Sequence, residues 1–558
     1  MNQHRGFIEE INNNRLKRHL LFLALTLITV FINGYHFGTF DQVFHIPFLK
    51  VWDNPSLYPN DPFVGLREYH FSYFWFMFLP AYRLGILEPV MFITHLAITY
   101  GTFWAFWDLC DLLFHNQLAN VLLIFALVIP HIGFPGFQII EFSLLNRTFV
   151  IPFLLGAIVL YLKKKYAWSF LLLGLMFDLH LVYTVFVIAM LVVDMALRRK
   201  EMEWKKILPA LILFFLAILP LLIRKDSIDP GLDFSLRPEL RDMEALSTLY
   251  TVYYPFGKVI YVLATTLQGF ACVAIILLTM RRFPNLGTDL IFKNFLWAIA
   301  GIILVGSVAS YFLPVTFFIQ LQLIRAGVFL LYFGYIYFAY LIAKTIETEN
   351  LSRTESILLI IAYVTFLVPL ASLLYWQFRK AGSQKTLTYR KIIVLLVIAV
   401  EIGAAAYFDY LAPGYHIYGS KTAWVETQKW AKENTPQDAM FITPPDQYWH
   451  YVPDWRVFSE RGTIATIPEF EVLHLNPEYM PGFVERFEDV APGAIQKFNG
   501  DFRITVEVTR EAFASLSDRD FIRIGEKYHA QYLVLPLSHK VSFTPIYTNS
   551  EFAIYYLP

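Results

Sequence analysis

Residues 37–76, FGTFDQVFHIPFLKVWDNPSLYPNDPFVGLREYHFSYFWF, bring a set of ionisable groups directly after the first apolar run. Asp41, His45, Asp53, Asp61, Glu68 and His70 are interleaved there with aromatic side chains and with Pro47, Pro55, Pro59 and Pro62. Tyr and Trp favour the headgroup region of a bilayer, and closely spaced prolines break a long helix. Such a loop should lie along a membrane surface, where its ionisable groups can meet a lipid headgroup. The structural alternative is a connector whose carboxylates cap helix N-termini.

Three further segments place polar groups at the same predicted face: QIIEFSLLNRTF with Glu141 and Arg147, FDLHL with Asp178 and His180, and FFIQLQLIRAG with Gln320, Gln322 and Arg325. Ionisable side chains at membrane depth are costly to keep, so each is a functional candidate. An interfacial Arg325 can hold a phosphate by two parallel hydrogen bonds, and Asp178 with His180 can close a polar site. Each has a structural counterpart: a snorkelling arginine, a satisfied core histidine, or an interhelical Glu141–Arg147 ion pair.

The elements that must position these groups follow from composition. The chain is 57% hydrophobic and 16% charged, with mean hydropathy +0.49. A water-soluble fold of average usage carries roughly a quarter charged residues, so the implied partner is membrane lipid. Net charge is zero, which gives no bulk basic field for nucleic acid. Cys110 and Cys272 sit in apolar stretches without CxxC spacing. Long apolar runs fall near 20–32, 87–113, 118–136, 148–162, 166–197, 207–223, 257–280, 294–313, 326–343, 356–375 and 392–407. The expected fold is therefore a polytopic α-helical membrane protein with about 11–13 transmembrane helices.

Arg5, Arg15, Lys17 and Arg18 before the first run predict a cytoplasmic N-terminus on a retained helix. Lys163 to Lys165, Arg198 to Lys200, and Arg281 with Arg282 read as cytoplasmic too. The run 166–197 must then go out and back, which predicts two short helices turning near Asp178 and His180. Counting spans from the N-terminus puts the loop 377–391 outside, yet Arg379, Lys380, Lys385, Arg390 and Lys391 argue for inside. With that local signal taken as the guide, the tail from Tyr410 is extracytoplasmic.

From Tyr410 apolar density falls. Residues 422–433 have helical spacing, 439–443 read as a buried strand stopped by Pro444 and Pro445, and 518–529 as a second helix. The strand 531–535 and a closing pair, 544–548 and 552–557, follow. The expected division is a transmembrane unit 1–409 with an outer loop 36–86, and a small C-terminal α/β domain 410–558. In that tail Trp449, Trp455, Arg456 and Arg461 can either bind carbohydrate or pack.

No GxGxxG after a strand, GxxxxGKS/T loop, HExxH or GxSxG occurs, so nucleotide hydrolysis, zinc proteolysis and esterase chemistry have no support. What the chain resembles is the GT-C superfamily of integral membrane glycosyltransferases, and uncharacterised bacterial proteins related to it. The likeness lies in FDQVFHIPFL with LYPNDPF, in LLNRTF, GLMFDLHL and QLQLIRAG, and in the tail segments WAKENTPQDAMFITPP, YHAQYLVLP and PIYTNSEFAIYYL.

That resemblance implies transfer of a sugar from a polyprenyl-phosphate-linked donor to a saccharide, lipid or protein acceptor at the outer face of a bacterial cytoplasmic (inner) membrane. Asp41 matches the early-loop carboxylate that serves as base, with Asp61 the second choice. Arg325, then Arg147 or His180, would neutralise the leaving lipid phosphate. His45, Glu141, Asp178 and Gln322 complete the implied substrate-binding set. Asp41 is followed by Gln42 where many members carry a second acid, which puts a metal-dependent mechanism in doubt, and no cofactor is expected. Two other readings stay open: a transporter or flippase of lipid-linked saccharide, although no internal repeat is visible, and a non-catalytic membrane scaffold.

Overall fold

The computed structural model describes residues 10–229, 231–254, 260–284, 288–349, 351–364, 413–447 and 451–558, with isolated positions between 392 and 403. Among them six helices are long and apolar enough to cross a membrane: Arg15–Asn33, Leu87–Phe114, Trp204–Ile228, Val262–Arg282, Asp289–Tyr311 and Thr316–Thr348. Four shorter apolar helices accompany them, Gln117–Ala126, Asn146–Leu162, Tyr166–Leu179 and Leu181–Leu197. The chain is a multi-pass membrane protein. The basic loop 377–391 and Trp449 lie outside the described residues.

Two helices show what lipid and protein each select. On Trp204–Ile228 the side chains of Ile212, Phe215, Leu216 and Ile223 are all more than half exposed. In water such a patch would be untenable; in a bilayer it is the lipid-facing surface. Val328–Thr348 is instead packed on all sides and carries Tyr332, Tyr335 and Tyr337 fully buried at the centre of the bundle.

The helix pair expected in 166–197 is present, and it breaks at His180. That residue is extended (φ −152°), while its Nδ1 accepts from the Tyr183 N–H at 3.2 Å and so caps the second helix. The run 118–136 departs from expectation. Its helix stops at Ala126, and residues 127–145 form an irregular segment. Pro130, Gly133, Pro135 and Gly136 deny it backbone donors and helical dihedrals.

Polarity separates the two ends of the bundle. At one end Asn12 donates to the Gln117 carbonyl, Asn116 to Glu347 at 2.8 Å, Arg282 pairs with Glu349, and Lys164 with Glu203 at 3.1 Å. At the other lie the aromatic loop and the tail. Strand β1 (Tyr35–His36), directly after the first helix, pairs in parallel with β2 (Tyr415–His416).

The tail holds a five-stranded sheet. Its strands are β3 (Met440–Ile442), β4 (Gly462–Thr463), β5 (Tyr532–Pro536), β6 (Pro545–Thr548) and β7 (Phe552–Tyr556), in the order β4-β3-β5-β7-β6. The first three run parallel, and the last two close as an antiparallel hairpin. The helices Ala423–Asn434 and Asp518–Tyr528 fall where the periodicity placed them. The helices Met480–Val490 and Phe502–Ala514 and the two-residue β4 were not foreseen.

Candidate functional site

The loop after the first helix does not project from the bundle. It folds into a helix, Gln42–Asp53, and a 3-10 segment, Pro62–Tyr69, both pinned beneath the tail. Lys50 Nζ donates to the Val457 carbonyl and to Glu460, both at 2.8 Å, and the Tyr58 hydroxyl donates to the Arg456 carbonyl. Between this assembly and the ends of the membrane helices lies a cavity of about 470 Å³.

Asp41, Arg147, His45, His180, Gln322 and Arg325 all line this cavity, although four separate segments supply them. Asp41 stands at the start of Gln42–Asp53, and Arg147 in the first turn of Asn146–Leu162. His180 is the break between two helices, and Gln322 with Arg325 come from the 3-10 turn that precedes Val328–Thr348.

Arg147 is paired with two carboxylates. Its Nη1 pairs with Asp41, and its Nε donates to Glu141 at 2.9 Å. Glu141 is buried behind Arg147 and does not reach the cavity wall. Removing either partner of so buried a pair typically costs about 3–5 kcal/mol, so Glu141 fixes Arg147 and Arg147 in turn fixes the Asp41 carboxylate.

Arg325 is its opposite. Its guanidinium stacks on Phe137, 4.7 Å from the ring centre, and Arg147 approaches the same ring at 5.4 Å. Its Nε is buried without a hydrogen-bond partner, and among the described residues no carboxylate pairs with it. A half-buried cation without a counter-ion is expensive to keep, and an anionic ligand would relieve the cost.

The turn carrying Arg325 is held by a chain of hydrogen bonds. Gln322 adopts a left-handed conformation (φ 46°, ψ 50°), rare for a residue with a side chain. Its amide donates to the Tyr253 hydroxyl at 3.3 Å, which donates to Glu244 at 2.5 Å. Glu244 also accepts from the backbone N and the Nδ1 of His474, at 2.6 and 2.8 Å. His474 belongs to the tail, so the tail segment Ile467–Leu475 closes one side of the cavity.

His45 stacks on Trp75 at 4.6 Å and lies 4.3 Å from the ring of His70. Burial, joined by the nearby His70, Arg147 and His180, holds the His45 imidazole well below its ordinary 6.5. Burial, then Arg224, pushes His70 down to about 3. Both rings are neutral near pH 7, and each keeps an Nδ1 without a partner. A neutral ring offers one donor and one acceptor, a combination suited to hydroxyl groups.

Two candidates lie away from the cavity. Asp178 does not line it; its backbone carbonyl accepts from the Tyr73 N–H, and its Oδ1 is buried without a partner. Asp61 is enclosed between loop and tail, where Arg456 Nε donates to it at 2.6 Å and the N–H groups of Phe63 and Thr463 at 3.1 Å. Arg456 also donates to Glu469 at 2.9 Å and contacts Asp454. Trp455, Arg456 and Arg461 are all buried in the tail and present no carbohydrate platform.

Sequence reasoning passed over Lys225 in the last turn of the lipid-facing helix, Asp229 and Asp233 just after it, and Glu471 with His474 from the tail, all of which line the cavity. The cluster RKDSIDPGLD at 224–233 was a readable signal, being a dense polar run directly after the apolar run 207–223. Among the described residues no three His, Cys, Asp or Glu side chains gather as a metal ion requires.

Residues 422–473 match a family described as a domain of unknown function (DUF6798). No curated protein matches the chain in sequence. In structure the chain is similar to ArnT from Cupriavidus metallidurans bound to undecaprenyl phosphate. The identity is 12% and the TM-score 0.47, over 96% of this chain and 97% of that one.

Proposed function

We propose that this protein is a membrane glycosyltransferase of GT-C type that moves a sugar from a polyprenyl-phosphate-linked donor to an acceptor on the extracytoplasmic face. The observation that carries the reading is the pairing, in one cavity, of a carboxylate oriented by Arg147 with the unpaired guanidinium of Arg325. The resemblance of the early loop, LLNRTF and QLQLIRAG to that superfamily supports it. Basic clusters gather at the far end of the bundle, and the positive-inside rule puts that end in the cytoplasm, so the cavity opens outside.

In this mechanism the acceptor hydroxyl oxygen attacks the anomeric carbon as the bond from that carbon to the lipid phosphate oxygen breaks. The hydroxyl proton passes to Asp41, and the polyprenyl phosphate leaves with the bonding pair. Arg325 neutralises the charge that grows on the leaving phosphate, in a site where such compensation is worth most. His45 and His70 supply neutral donors and acceptors for sugar hydroxyls. Asp61, with its lone pairs committed to Arg456 and backbone N–H groups, holds the tail over the cavity and takes no part in proton transfer.

The test uses full-length protein in lipid nanodiscs with radiolabelled polyprenyl-phosphate sugars. Transfer is expected, with Asp41→Asn slowing it about 100-fold or more, as the loss of a general base does. Transfer at the parental rate in Asp41→Asn would overturn the assignment. Translocation of the labelled lipid without product from any donor would establish the flippase instead.

A further inference from the structure

Beside the cavity the chain forms a small paired strap that no part of the proposed chemistry uses. Residues 231–237 follow the lipid-facing helix Trp204–Ile228, and residues 312–317 follow the helix Asp289–Tyr311. The two segments bond as a short ladder. Phe317 N donates to the Asp233 carbonyl, Thr316 N to the Ser235 carbonyl and Arg237 N to the Pro314 carbonyl, at 2.8 to 2.9 Å, while Leu236 bridges Val315.

The side chains alternate with a period of two. Leu232, Phe234 and Leu236 are 55%, 61% and 59% exposed. Asp233 and Ser235 turn the other way, where the Ser235 hydroxyl meets Thr316 at 3.1 Å and Arg237 reaches Glu478 of the tail at 2.7 Å. On the opposing segment Phe312 and Leu313 are 77% and 54% exposed. A strand that is apolar on one face and polar on the other is built to lie between two media.

We infer that this strap is a membrane-seated element whose Leu232, Phe234, Leu236, Phe312 and Leu313 insert among the lipids of the outer leaflet. Continuity supports lipid as the occupant. The strap begins where the exposed apolar face of Trp204–Ile228 ends and joins it to the end of another membrane helix. Its depth is bounded as well. The ladder leaves backbone groups unpaired at its edges, which hydrocarbon does not tolerate, so it rests in the hydrated interfacial zone. Leu222 and Leu232 both line the cavity while standing about half exposed, so the strap is also the wall between the cavity and the bilayer.

Both native cysteines are buried, so a nitroxide can be attached selectively at Phe234→Cys in the full-length protein reconstituted into phospholipid vesicles. Power saturation then compares its accessibility to oxygen, which concentrates in lipid, with that to a water-soluble nickel chelate. Insertion predicts an oxygen-to-nickel ratio at least several-fold above that of a label at Glu526→Cys on the exposed tail surface. Leu236→Cys should reproduce it, and Ser235→Cys should give a lower ratio. Ratios at Phe234→Cys and Leu236→Cys equal to that at Glu526→Cys would overturn the proposal. The readout is independent of catalysis, so it stands or falls apart from the proposed transferase reaction.

Discussion

Two arginines are served by carboxylates of the same early loop, and they live in opposite circumstances. Arg456 is ringed by Asp61, Asp454 and Glu469, and every strong donor it has is spent. Across the loop, Arg147 takes Asp41 and Glu141 and leaves its neighbour Arg325 with none. A charge cluster whose needs are met internally welds elements together. One that leaves a half-buried cation unmet holds a position open for something else. Ionisable residues at equal sequence prominence can thus divide into mortar and machinery, and geometry alone tells them apart.

The sharpest way to break this comparison is to exchange the roles. Asp61→Asn should cost on the order of 3–5 kcal/mol, because it strips a buried ion pair of one partner. It should appear as a large drop in the unfolding midpoint, with transfer falling only in step with the folded fraction. A normally stable Asp61→Asn protein that had lost transfer would move Asp61 into the machinery.

Next in size, Arg325→Met should leave the midpoint unchanged or raised, since it removes an uncompensated, half-buried charge. Transfer should fall about 100-fold, the usual scale for losing one stabilising donor. A marked loss of stability in Arg325→Met would place it with Arg456.

The smallest effect concerns pH. Burial raises the Glu460 carboxyl, but Lys50 and Lys432 outweigh that and hold it below its ordinary 4.5. A carboxyl lowered on folding lends stability that is present above the unfolded value and is lost as pH falls through the folded one. Acidification from 4.5 downward should therefore loosen the tail from the loop, seen as faster amide exchange at residues 457–461. Glu460→Gln should flatten that dependence by up to about 1 kcal/mol.

Much of the framework was legible in the residues because membrane helices and small sheets obey local rules. Unbroken apolar length marks a span. A short apolar run stopped by paired prolines marked β3, and an Asn-Ser turn marked the closing hairpin. What failed to show was whatever depends on distant partners. Residues 118–136 had the hydropathy of a span, but their prolines and glycines turned the second half into an irregular segment. Asp61 stood second to Asp41 as a candidate base because nothing near it in the chain reveals Arg456, 395 positions away. The tail's share of the cavity, Glu471 and His474, lay hidden for the same reason. The strap was missed because its alternating run is only a few residues long.

The pairing of Tyr35–His36 with Tyr415–His416 has a consequence for how the protein is made. A ribosome delivers the early loop hundreds of residues before the chain that covers it. Through that interval Asp61 and Lys50 wait without Arg456 and Glu460, and the cavity has no fourth side. Assembly of the site is therefore the closing event of biogenesis. A nascent chain arrested before residue 415 should display the loop to protease at the membrane surface, and one released past 475 should not.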